Sequence, residues 1–68
     1  MTKKQTILTF CTHSLGYCNH QPTLADITSA TGFKPITVRH WVTRLAARGE
    51  IETGRRGKWV IVVRRVRG

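Results

Sequence analysis

The apolar positions change rhythm once along the chain, from a helical period to an alternating one. Ile7, Leu8, Cys11 and Leu15 recur at helical spacing, with Phe10 at the edge of their stripe. They predict a first helix over residues 2–15, with Lys3, Thr6, Thr9 and His13 facing outward, then Gly16 and a loop over residues 17–22. Thr23, just after Pro22, is placed to cap a second helix, and Asp26 puts a negative charge in its first turn. Leu24, Ile27, Thr28 and Thr31 form the inner face of that helix, Ala25 allows close packing, and Gly32 ends it. A third helix begins near Pro35 and runs to Arg48. On it Val38, Trp41, Val42 and Leu45 form the stripe that must meet the core. Ile36, His40, Thr43 and Ala47 lie opposite, flanked by Thr37, Arg39 and Arg44.

After Gly49 the period becomes two. Residues 50–53 and 58–63 read as strands joined by the loop Gly54-Arg55-Arg56-Gly57. Trp59, Ile61 and Val63 are expected to face inward, with Val60 and Val62 on the other side. The order of elements predicts an α+β fold, three helices followed by a two-stranded β-hairpin. It occupies residues 1–63, and a basic C-terminal tail over 64–68 is expected to fray.

Charge narrows the function. The 68 residues hold 12 Lys and Arg against 3 Asp and Glu, a formal charge of +9. Residues 1–32 contribute only +1, from Lys3 and Lys4 against Asp26, and residues 33–68 contribute +8. Such a one-sided field attracts polyanions, nucleic acid above all, whereas a merely solubilising surface mixes its charges. The third helix has no acidic residue. Its outward face is basic, hydroxylated and partly apolar, a combination that suits a DNA groove, where Arg and Lys meet guanine edges and methyl groups meet thymine methyls. The longest apolar run, Trp59 to Val63, is far short of the roughly 20 residues of a membrane span. Thr and His interrupt the N-terminal apolar residues, so no signal peptide is expected. The chain is read as cytoplasmic, without membrane association and without an evident dimerisation helix, which favours a monomer in solution.

The residue pattern argues against two chemistries. Cys11, His13, Cys18 and His20 offer four candidate zinc ligands in close succession. Residues i and i+2 of a helix point about 200° apart, so Cys11 and His13 cannot both chelate, and no metal is expected. Cys11 reads instead as a core residue and Cys18 as a loop thiol, with a disulfide disfavoured for an intracellular nucleic-acid binder. Catalysis is not expected either. Asp26, Glu50 and Glu52 are accounted for by helix and strand positions, no phosphate-cradling glycine loop occurs, and His13, His20 and His40 lack a nucleophile partner. No cofactor is implied.

The run Pro22-Thr23-Leu24-Ala25-Asp26-Ile27 through Gly32-Phe33 resembles the second helix and turn of LexA-type repressors. Leu45-Ala46-Ala47-Arg48-Gly49-Glu50-Ile51-Glu52 resembles the close of their third helix and the start of their wing. Thr37-Val38-Arg39-His40-Trp41-Val42 is also similar to the recognition helix of excisionase and MerR-type domains. The likeness implies a winged helix–turn–helix domain that binds double-stranded DNA, with the third helix in the major groove and the wing on phosphates or the minor groove. Position by position it implies Lys34, Ile36, Thr37, Arg39, His40, Thr43 and Arg44 on the helix, the first five ahead of the last two, and Arg55, Arg56 and Lys58 on the wing. Lys3, Lys4 and Thr23 are candidates for phosphate contacts, and Arg48 with Arg64 to Arg67 for nonspecific attraction. The leading expectation is a small transcriptional regulator of phage or plasmid type, such as a repressor. An excisionase-like DNA-bending protein and a protein-interaction winged helix are the alternatives.

Overall fold

The computed structural model describes residues 2–66. Among them run α1 (Lys3–Gly16), α2 (Leu24–Thr31), α3 (Pro35–Ala47), β1 (Ile51–Arg56) and β2 (Trp59–Arg65), the last two paired as an antiparallel hairpin. The architecture is the expected α+β one, three helices followed by a wing.

Local chemistry sets where the first two helices start. At α1 the Thr2 hydroxyl accepts from the Gln5 N–H, and Gln5 Oε1 accepts from the Thr2 N–H, both at 3.2 Å. At α2 the Thr23 hydroxyl accepts from the Asp26 N–H at 3.1 Å, and Asp26 Oδ2 accepts from the Thr23 N–H at 3.0 Å. Both are capping boxes, each satisfying donors that a helix start otherwise leaves orphaned. The Asp26 carboxylate also meets His20 Nε2 at 3.0 Å.

Ile7, Leu8 and Cys11 of α1, Ile27 of α2, and Val38, Val42 and Leu45 of α3 close on one another and on Ile51 and Val62 of the hairpin. Trp41 departs from expectation. It is only half-buried, at the margin of this core, with the Arg44 guanidinium 5.7 Å from its ring and the His40 ring edge-on at 5.8 Å. Ser14, not anticipated as an inward residue, is buried. Its hydroxyl donates to the His20 carbonyl at 2.8 Å and its own carbonyl accepts from the His20 N–H at 3.0 Å, folding the α1–α2 loop back on α1.

The hairpin corrects three expectations. First, β1 continues through Arg55 and Arg56, which pair with Val60 and Trp59, so the turn is Gly57-Lys58 and not a four-residue arginine tip. Gly57 adopts φ +62° while Lys58 stays at negative φ, the pattern of a II′ hairpin turn with glycine first. Second, the inward face is the one that carries Val62. Val62 is fully buried opposite Thr53, whereas Trp59 is 55% exposed and Val63 half-buried. Ile61 is buried as expected, in an isolated bridge with Thr23 at the start of α2. Third, β2 runs to Arg65, so the expected tail begins as strand; Arg67 and Gly68 lie outside the described residues.

Between Glu52 and Thr53 the register slips, because Glu52 faces Arg64 while Thr53 faces Val62, leaving Val63 as an extra residue. Gly54 makes room for it, since a Cβ there would lie 2.9 Å from Val63 Cγ2. Beyond the slip Arg65 reaches Thr12 Oγ1 on α1 at 2.8 Å.

Val42 tests the core directly. An unpaired buried charge costs several kcal/mol, against about 3–10 kcal/mol for a whole domain of this size. Val42→Asp is therefore expected to abolish the cooperative thermal transition seen by circular dichroism, and a melt matching the parent would refute the packing. Asp26 adds a pH test. The Thr23 backbone N–H, then His20, hold its pKa below the ordinary 3.8. The folded value lies under the unfolded one, so the stabilisation is complete above 3.8 and is lost as pH falls through the folded value. Asp26→Ala should lower the melting temperature at neutral pH, and the gap to the parent should narrow as the pH falls below 3.8 and the carboxyl is protonated.

Candidate nucleic-acid interface

The buried stripe of α3 orients its other side. With Val38, Val42 and Leu45 turned inward, Ile36 is left 77% exposed and Arg39, His40, Thr43 and Arg44 stand in solvent. These five side chains border one open groove between α2 and α3, with Leu24, Ala25 and Thr28 across it. Thr37 is half-buried on the flank of the helix. Lys34 is the N-cap, exposed and making no side-chain cap bond, so the α3 N-terminus presents uncapped amides beside a cation.

Thr23 fits its expected role less well. Its hydroxyl is engaged with Asp26, and the α2 N-terminus already holds that carboxylate, which opposes a phosphate. Arg55, Arg56 and Lys58 form a second exposed cluster at the far end of the wing. Arg56 is steadied by a hydrogen bond to Gln21 Oε1 at 3.2 Å, while Gln21 Nε2 donates to the Val63 carbonyl at 3.4 Å. Gln21, absent from the expected residues, thus braces the wing; a lone loop glutamine carries no periodic signal.

The carboxylates sort the cations. Glu50 Oε2 lies 3.3 Å from Lys4 Nζ and 3.5 Å from Arg48 Nε, an ion pair without good hydrogen-bond alignment. Glu52 holds Arg64 at 2.8 Å, and Asp26 meets His20. Lys34, Arg39, Arg44, Arg55, Arg56 and Lys58 have no carboxylate partner among the described residues. Lys3 sits over the Phe33 ring at 5.8 Å.

The cysteines and histidines go separate ways. Cys11 is buried, Cys18 exposed, and both are free thiols; His13 stacks on Tyr17 at 5.2 Å. Among the described residues no three His, Cys, Asp or Glu side chains gather as a ligand set, and no helix is long and apolar enough to cross a membrane.

No protein-family model, curated protein or solved structure matches the chain.

Burial pushes the Cys11 thiol up to about 11, against a smaller lowering by Arg65. At neutral pH almost none of it is thiolate, the reactive form. Native protein treated with iodoacetamide should gain one label, on Cys18, and denatured protein two. Peptide mapping that found Cys11 labelled in the native state would contradict its burial.

Proposed function

We propose that the protein is a sequence-specific binder of double-stranded DNA, acting as a small transcriptional regulator without catalysis. In this reading α3 lies in the major groove and the wing tracks phosphates or the adjacent minor groove. The observation that carries it is the sorting of charges. All three carboxylates are turned to groups away from the outer face of α3 and the hairpin tip, and the cations of those two places are left to attract an external polyanion. The exposed Ile36 and Thr43 beside Arg39 and His40 add the mixed apolar and donor character that reads base edges. The likeness of residues 22–33 and 45–52 to LexA-type repressors supports repression as the sign of regulation, and the proposed form is a cytoplasmic monomer.

The two basic clusters differ in support. Arg39 projects from a helix whose orientation is locked by its buried side, so it can be held at a base edge, where a bidentate contact discriminates by about 1–3 kcal/mol. Arg55 and Arg56 lie on a two-stranded ribbon and suit phosphates better than an exact donor pattern. The test first selects bound sequences from random duplexes, then titrates variants against cognate and random DNA at several salt concentrations. Arg39→Ala should lose preference for the cognate site and change the salt slope by about one contact at most. Arg55→Ala with Arg56→Ala should weaken both DNAs alike and flatten the slope by about two contacts. Loss of preference in the wing variant with retention in the helix variant would reverse the assignment, and no duplex binding at low salt would end the reading.

A further inference from the structure

Trp59 is the large apolar side chain whose position the hairpin's packing makes hardest to explain by folding alone. Val62 fixes the core-facing side of β2, and Trp59 falls on the opposite side, next to the turn, with 55% of its surface exposed. A single exposed apolar residue is ordinary. The setting of this one is not. Arg56 is its cross-strand partner, and the Lys58 ammonium lies 5.9 Å from its ring; Arg55, opposite Val60, falls on the ribbon's other face. Arg56 is held by Gln21 and so does not fold over the indole to cover it. The carboxylates of the hairpin, Glu50 and Glu52, sit at its other end and are paired there. An aromatic plate thus stands beside two cations, Arg56 and Lys58, with Arg55 on the other face of the same ribbon end, where a polyanion with apolar faces between its charges would meet both chemistries at once.

We infer that Trp59 is a wedge for the minor groove of duplex DNA, inserting against or between base pairs while Arg56 and Lys58 hold the flanking phosphates. Apolar side chains inserted from this groove partly unstack a base step and kink the duplex toward the major groove. The wing then bends its target and does more than neutralise it. This inference rests on the duplex-binding reading above, to which it adds a mode of action: α3 selects the site and Trp59 deforms it.

The experiment uses the full chain and a selected duplex of about three helical turns carrying a dye at each end. Energy transfer between the dyes reports the bend. The parent should bring the ends together, consistent with a kink of about 20–90°. Trp59→Ala should leave the bound duplex nearly straight and weaken binding about tenfold, with the thermal melt unchanged because the ring is not part of the core. Trp59→Phe, a smaller wedge, should keep most of the bend. If the parent binds without bending, or Trp59→Ala bends the duplex as the parent does, the wedge is overturned and the DNA-binding reading stands. If Trp59→Ala weakens only single-stranded DNA, the side chain is a stacking platform for unpaired bases and the wedge is likewise overturned. Should no duplex be bound at low salt, both fall together.

Discussion

The burial of Val62 is the constraint on which the outer architecture depends. Its side chain is fully enclosed, its N–H donates to the Pro22 carbonyl at 2.9 Å, and its Cα partner is Thr53. One residue therefore ties β2 to the helical core, to the start of α2 and to β1. Because strand side chains alternate, placing Val62 inward dictates the orientation of everything from Trp59 to Val63. Trp59 is sent outward, Arg56 goes to the same side as Trp59, and Val63 is displaced into the slip that Gly54 accommodates. Ile61, on the same side as Trp59, is nonetheless buried where Thr23 bridges it, so burial on that side stops short of the indole at the ribbon end.

The helices were legible because each carried two agreeing signals. Thr23 with Asp26 marked the start of α2, and the stripe of Val38, Val42 and Leu45 repeated at the helical period over an element long enough to show it. The hairpin lacked such agreement. Val60, Ile61, Val62 and Val63 are apolar at both parities, so alternation alone does not choose the inward face, and the large indole suggests a side on which only Ile61 is buried. Gly54 and Gly57 read as two ends of one loop, although one serves the turn and the other spares Val63 a collision. Trp41 fell short of full burial for a different reason. Its position at the edge of the stripe lets the ring meet Arg44 and His40 as well as the core. Ser14 and Gln21 act through backbone carbonyls brought near by tertiary structure, which no spacing rule encodes.

The candidate site was legible to the extent that it follows from α3. Once the inner stripe was assigned, geometry left Ile36, Arg39, His40, Thr43 and Arg44 outside, and the structure gathers all five on one groove. What the sequence could not divide was the excess of positive charge. A formal +9 says that a field exists and says nothing about where it is spent. Three carboxylates suffice to do the sorting: Lys4, Arg48 and Arg64 are drawn into the frame of the fold, and His20 into the cap of α2. Of these pairs the solvent-exposed Glu52–Arg64 one adds little to stability. Their consequence is spatial, since each partnered cation contributes less to the external field and the unpartnered ones stand out by contrast.

The same economy of residues bears on how α3 and the wing act together. A 68-residue chain has one core, and that core anchors both elements: Val38, Val42 and Leu45 hold the helix, while Val62 and Ile51 hold the ribbon. A ribbon of two strands is weak alone, and this one is reinforced at its base by Thr23 bridging Ile61 and farther out by Gln21 gripping Arg56. Both braces come from the segment just before α2, which also begins the helix–turn–helix. The ribbon cannot shift far without disturbing Pro22 and Thr23, and those residues set where α2, and through it α3, begins. In the proposed complex, a site chosen by α3 therefore determines where the wing falls on the duplex, and resistance of the duplex to the wing is felt as a penalty on α3. Sequence read by base contact and sequence read by deformability become one recognition event, because the two elements share a core too small to let them move apart.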